Sequence, residues 1–134
     1  MTINHDALVD EIHTLHADLA SWLGTPDSAD ALERFIAQTH PDFSMVNVDG
    51  GVVRRESLCE GLRSAGHAAP GLTIDIVDLE VLHTSAESAV ARFKEIHHTP
   101  HGPTARLTTA LLLPAPAARN GLLWRTVHET PTTP

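Results

Sequence analysis

Apolar residues recur with two different periods along this chain, and the period changes once. In the first part the spacing is three and four. Leu8, Ile12, Leu15, Leu19 and Trp22 make one stripe over residues 4–23, the signature of an amphipathic helix. Asn4 is placed to cap its first turn, Asp6 sits at the positive end of the dipole, and Gly24 with Pro26 supplies the stop. A second helix is predicted from a cap at Asp27 or Ser28 through Thr39, with Leu32, Phe35 and Ile36 inward. Pro41 is expected to end it, because the residue before a proline is pushed out of the α region.

From Phe43 the period is two. Phe43, Met45, Asn47 and Asp49 point one way and Ser44, Val46 and Val48 the other, and Asp49-Gly50 suits a tight hairpin turn. A third helix over 55–65 carries Leu58 and Leu62 inward and starts at Arg54, a poor capping residue. Four long strands are then expected over 72–82, 89–98, 104–113 and 122–129. In the first of them Leu72, Ile74 and Ile76 are out of phase with Leu79 and Val81, which a bulge near Val77-Asp78 repairs. The 130–134 tail reads as too polar and proline-rich to join the fold. Helices first and strands afterwards argue for an α+β domain. The expectation is a curved, cone-shaped antiparallel sheet packed against three N-terminal helices, one domain over 1–134, ordered from about 4 to 130.

Composition narrows the function. The chain has 134 residues and a formal net charge of −8, with Lys94 as its one lysine and its arginines scattered. Nucleic-acid binding needs clustered basic residues, so no nucleic-acid partner is expected. No run of 18 apolar residues and no basic-then-apolar leader is present, so no membrane partner is expected and the chain reads as soluble and cytoplasmic. Cys59 is the single cysteine, which excludes an internal disulfide, and beside Leu58 and Leu62 it reads as a packed thiol. There is no tyrosine, so any site works without a phenol.

The order of elements, the stretch His40-Pro41-Asp42-Phe43, the hairpin Asn47-Val48-Asp49-Gly50-Gly51, and the ending Trp124-Arg125-Thr126-Val127-His128-Glu129 together resemble the nuclear transport factor 2-like superfamily. Its members share a cystatin-like cone and include ketosteroid isomerases, polyketide cyclases of the SnoaL type and the association domain of calmodulin-dependent kinase. Within it the chain is most similar to small SnoaL-like proteins of unknown function. The resemblance implies a fold more than an activity, because this fold hosts many activities. It also implies where an isomerase base would stand: five residues after Asp42, at Asn47. Asparagine cannot accept a proton there, and no tyrosine is available for an oxyanion. A steroid-type isomerase is therefore disfavoured.

The remaining candidates lie on the long strands. Phe93, Glu95 and His97 share a phase, as do Arg106, Thr108 and Ala110, and Trp124, Thr126 and His128. If these phases face the interior, Glu95 and His128 are the candidate proton carriers. Arg106 is then an anion anchor, Trp22, Phe43, Met45 and Trp124 are walls, and Asn47 lies at the rim. The opposite phases carry Ile96, Leu107, Leu111, Leu113, Leu123 and Val127, and the more apolar phase of a sheet usually points inward. Both assignments stand at this point. No metal is expected despite ten histidines, since His97 and His98 point to opposite faces and no HExxH spacing occurs. His5, His13, His16, His67 and His83 are expected at the surface. No cofactor is expected, as there is no phosphate loop, dinucleotide fingerprint or serine elbow. Two functions remain. One is a binding protein for a small apolar or anionic ligand, extending to a cofactor-independent acid–base lyase, cyclase or isomerase. The other is a non-enzymatic dimerisation or association module with a vestigial pocket, and a homodimer through the outer sheet face suits either.

Overall fold

The stripe of Leu8, Ile12 and Leu15 forms the inner face of the first helix, α1 (His5–Gly24), and all three side chains are buried. The structure is a computed structural model and describes residues 2–134. Asn4 caps α1 as its position suggested, accepting a 2.9 Å hydrogen bond from the Ala7 amide. The second helix, α2 (Ala29–Ala37), buries Leu32, Phe35 and Ile36. Ser28 precedes it without capping it, because the Ser28 hydroxyl donates back to Ser21 O and Thr25 O.

Pro41 does not end α2. The helix stops at Ala37, and the chain enters β1 (Thr39–Val46) two residues later. Pro41 sits in the irregular part of that strand, between the Thr39 and Ser44 pairings, where a missing N–H is tolerated. A short partner β2 (Val52–Arg54) leads into α3 (Arg55–Ser64), which has no side-chain cap. Four long strands follow: β3 (Thr73–Thr84), β4 (Ala89–Thr99), β5 (Gly102–Pro114) and β6 (Leu122–Thr132), the last two joined by a single 3-10 turn (Arg119–Gly121). The sequence placed residues 130–134 outside the fold, but Thr130, Pro131 and Thr132 extend β6 and pair with β5. Beyond β1, that end of β6 is an edge, and an edge accepts a proline.

The sheet order is β2-β1-β6-β5-β4-β3. β3 to β6 run antiparallel as expected, and β1 runs parallel to β6, so the sheet is mixed. Besides the irregularity in β1 and a second shift in β3 between Val81 and His83, two bulges decide which side chains face inward. In β3 the register shifts between Val77 and Glu80, around Asp78 at φ 54°, which turns Ile76 and then Leu79 and Val81 toward the same core. In β6, Leu111 pairs with Thr126 but Leu112 with Trp124, which leaves Arg125 as the extra residue. The three helices cover the inner face of this curved sheet, and their apolar stripes meet Phe93, Ala110, Leu112 and Trp124 there.

Candidate functional site

A cavity of about 320 Å³ lies inside the cone. Most of its wall is apolar: Leu15, Leu19 and Leu23 from α1, Phe35 from α2, Phe43 and Met45 from β1, Leu58 and Leu62 from α3, and Trp124 and Val127 from β6. The polar lining is concentrated on α1, β4, β5 and β6, as His16, Glu95, His97, Arg106, Thr108 and Glu129.

Period two on β4 turns Glu95 inward with Phe93 and His97, and Glu95 pairs directly across the ladder with Arg106. Glu95 is 2% exposed. One of its oxygens accepts from the Thr108 hydroxyl at 2.7 Å and lies 3.4 Å from His16 Nε2. The other lies 3.0 Å from His97 Nε2. Both carboxylate oxygens are thus already engaged.

His16 was expected at the surface, and it is buried instead. It follows Leu8 and Ile12 at steps of four, so the helix carries it onto the apolar stripe. Its Nδ1 lies 2.7 Å from Ile12 O, which only accepts, so Nδ1 is a donor. Nε2 faces a carboxylate and donates as well. The ring is therefore an imidazolium, standing edge-on to Phe93 and Trp124. Burial disfavours charge on both partners, and their mutual interaction outweighs it. The positive charge of His16 and the hydrogen bonds from His16, His97 and Thr108 hold Glu95 well below the usual carboxylate range. The negative charge of Glu95 and the bonds to Glu95 and Ile12 raise His16 above its ordinary value, with a smaller contribution from Glu129.

Glu129 behaves oppositely. Burial raises its carboxyl above the usual range and the neighbouring charge of Glu95 raises it further; Arg106 and His16 oppose this without cancelling it. Arg106 reaches Glu129 through one 3.5 Å contact, from Nη1 to Oε1. The Arg106 Nε is buried and has no hydrogen-bond partner, an arrangement native interiors usually avoid.

Behind Trp124 lies a second polar cluster that fixes the wall. Trp124 Nε1 donates to the fully buried Glu11 at 2.9 Å. Arg119 binds the same carboxylate through Nε and Nη2, at 3.0 and 3.1 Å, and Asp18 through Nη1 at 2.9 Å. Gln38 holds the backbone of the Arg119 turn.

Phe43, Met45, Glu95, Arg106 and Trp124 all line the cavity. Three expected site residues do not. Trp22 is a strut: its Nε1 donates to Leu62 O at 2.7 Å and ties α3 to α1. Asn47 shapes the hairpin, its side-chain oxygen accepting from the amides of Asp49 and Gly51. His128 is exposed on the outer face, because the extra residue at Arg125 flips the phase of β6 and turns Val127 and Glu129 inward in place of Thr126 and His128. Sequence reasoning did not single out Glu129, and it placed His16 outside; the four-residue step from Ile12 was the available signal for the latter. Among the described residues no group of three or more His, Cys, Asp or Glu is arranged to hold a metal, and no helix is long and apolar enough to cross a membrane.

No family model matches the chain, and no curated protein sequence matches it. Solved structures do. An NTF-2-like protein of unknown function from Pseudomonas aeruginosa is 35% identical with a TM-score of 0.87, over 94% of this chain and 98% of that one. A CaMKII hub from S. rosetta is 14% identical with a TM-score of 0.73, over 95% of each chain. A ketosteroid isomerase-like protein from Erwinia carotovora atroseptica is 16% identical with a TM-score of 0.62, over 98% of this chain and 95% of that one.

Proposed function

The chain belongs to the nuclear transport factor 2-like superfamily, and we propose that it uses its cone to bind a small, mainly apolar molecule and to move a proton on it without a cofactor. One observation carries this reading: His97 and Glu129 line a mainly apolar cavity beside the buried Glu95. At about 320 Å³ the cavity is near the lower end of the roughly 300–1,000 Å³ range of ligand sites, which favours a small ligand.

The roles follow from the hydrogen bonds. Glu95 has no free oxygen, so it orients its neighbours rather than taking a proton itself. When His97 donates from Nε2 to Glu95, its Nδ1 keeps a lone pair, which makes it the base. Glu129, whose carboxyl is raised above the usual range by burial and by the charge of Glu95, is the matching acid when it carries a proton. A base and an acid on one cavity wall suit proton abstraction beside a carbonyl, with the carbonyl oxygen receiving a hydrogen bond from Glu129. Positioned acid–base groups of this kind contribute about 10²–10⁴-fold.

The test is exchange of α-hydrogens for deuterium in a panel of small ketones and aldehydes, followed by NMR in D₂O. Exchange above the buffer rate is expected for at least one that fits, and His97→Gln should slow it by about 10²-fold or more. If compounds bind but none exchanges, the acid–base half of the reading fails and a binding protein remains.

A second reading, a dimerisation or association module, is favoured by the outer sheet face, where Leu82 and Leu107 stand 44% and 42% exposed. The hub among the structural neighbours supports it at the level of fold. The two readings use opposite faces of the sheet and are compatible.

A further inference from the structure

We infer that Arg106 is the seat for a ligand carboxylate, and that Glu129 vacates it by taking up a proton when the ligand binds. This rests on the cavity being a ligand site, and it goes further by naming the ligand class, a small monocarboxylate with an apolar body.

The argument starts from an unfinished interaction. A guanidinium presents a fork of N–H groups that a carboxylate fills with two parallel bonds. Glu129 fills one position, at 3.5 Å, and the buried Nε–H of Arg106 has no acceptor. Glu95 lies directly across the ladder, but both its oxygens belong to His16, His97 and Thr108. The guanidinium lining the cavity therefore lacks the two-oxygen partner that its geometry calls for.

Charge points the same way. The ionisable groups facing the cavity are His16 from α1, Glu95 and His97 from β4, Arg106 from β5 and Glu129 from β6; the lining from α2, α3 and β1 is apolar apart from Thr39. His16 and Glu95 cancel as an ion pair. With Glu129 neutral, Arg106 leaves the cluster one positive charge, which a monoanion neutralises. With Glu129 ionised, an incoming carboxylate meets two carboxylates near one guanidinium, so its arrival favours protonation of Glu129. The released Glu129 then donates its proton to a ligand oxygen or to a neighbour. The apolar remainder of the ligand lies against Phe43, Leu58, Leu62 and Trp124.

The experiment compares phenylacetate with the uncharged, near-isosteric phenylacetamide by isothermal titration calorimetry. Each is titrated in two buffers of different ionisation enthalpy, from pH 5.5 to 8.5. Phenylacetate should bind at least tenfold more tightly than the amide, with net uptake of up to one proton. Its affinity should fall with rising pH, by up to tenfold per unit, over the range in which Glu129 is ionised in the free protein. Glu129→Gln should retain phenylacetate binding while losing both the proton uptake and the pH slope, and Arg106→Lys should lose most of the preference over the amide. Should Glu129→Gln fail to fold, the ¹³C shift of the Glu129 carboxyl in the unmodified protein gives the same readout, moving to the protonated position on addition of phenylacetate at pH 7. Proton uptake that persists in Glu129→Gln, or a carboxyl shift that does not move, overturns the inference. Equal or tighter binding of the amide also overturns it and leaves the cavity reading standing. Binding of neither compound at millimolar concentration overturns both.

Discussion

Glu95 is a buried carboxylate served by three donors, and its companion His16 is a buried imidazolium with an acceptor on each nitrogen. Removing one member of such a pair strands the other, which costs about 3–5 kcal/mol. Glu95→Gln should therefore lower the urea midpoint by an amount equivalent to roughly 3 kcal/mol. Acidity sets a window for this stability. Ordinary Glu and His side chains titrate near 4.5 and 6.5. Glu95 is lowered, so its contribution is whole above pH 4.5 and is lost as pH falls through its folded value. His16 is raised, so its contribution is whole below 6.5 and is lost as pH rises through its folded value. Glu129 is also raised, so it too contributes at low pH, and that contribution is lost above 4.5 as pH rises through its folded value. Urea midpoints followed from pH 4 to 9 should decline on the alkaline side, and Glu129→Gln should remove the part of the decline that sets in first. A flat profile would contradict the ion pair.

Between residue and fold, two elements decide what the cavity contains. β6 carries its extra residue at Arg125, and this is why the site was only partly legible in the sequence. On β4 and β5 the alternation runs unbroken from Phe93 to His97 and from Arg106 to Ala110, so counting put Glu95 and Arg106 in phase with their neighbours but left open which face of the sheet that phase would take. On β3 the bulge showed itself, because Ile76 and Leu79 are both apolar and out of phase. β6 has apolar residues in both phases, at Leu122, Leu123, Trp124 and Val127, and no glycine or proline near Arg125. Nothing there marks the flip, so His128 was read in place of Glu129. His16 was missed for another reason: its position on the stripe was visible and Ile12 O is local, but the carboxylate that Nε2 needs comes from Glu95, 79 positions along the numbering, and only the fold supplies it. Deleting Arg125 should remove the bulge but leave Trp124, Val127 and Glu129 on the inner face, so cavity binding should survive it, as read by calorimetry; loss of binding would show that the bulge itself shapes the wall. The other element is α3, which buries no residue fully yet supplies Leu58 and Leu62 to the cavity wall. It is tied down by Trp22, and a Cβ added at Gly66 would stand 2.9 Å from the Trp22 ring. Gly66→Ala should cost about 1–3 kcal/mol through that overpacking and speed amide exchange in α3 more than in β4. Equal acceleration in both would show that α3 does not open separately.

For the molecule as a whole, the unanswered surface is the outer face of the sheet. The inner face is filled by helices and cavity, and alternation sends Ile96, Leu107, Leu111 and Leu113 to the other side. No helix of this chain covers them among the described residues, and Leu107 and Leu82 stand well exposed. A stable dimer needs about 800 Å² from each partner, a modest share of a total surface of 7111 Å². The opposing force is charge, since each copy carries a formal net −8. At about 0.15 M salt that repulsion is screened beyond roughly 8 Å, whereas apolar burial is insensitive to such screening. Self-association through this face should therefore strengthen as salt rises from low to physiological concentration, the reverse of an interface held by ion pairs. Analytical ultracentrifugation at micromolar protein should find a dimer, and Leu107→Asp should shift it to monomer by placing a charge in the apolar centre. Because Leu107 faces away from the cavity, phenylacetate binding should survive in that monomer. A protein that stays monomeric at every salt concentration would remove the association reading, while loss of both properties together would mean that the cone holds its shape only when its outer face is covered.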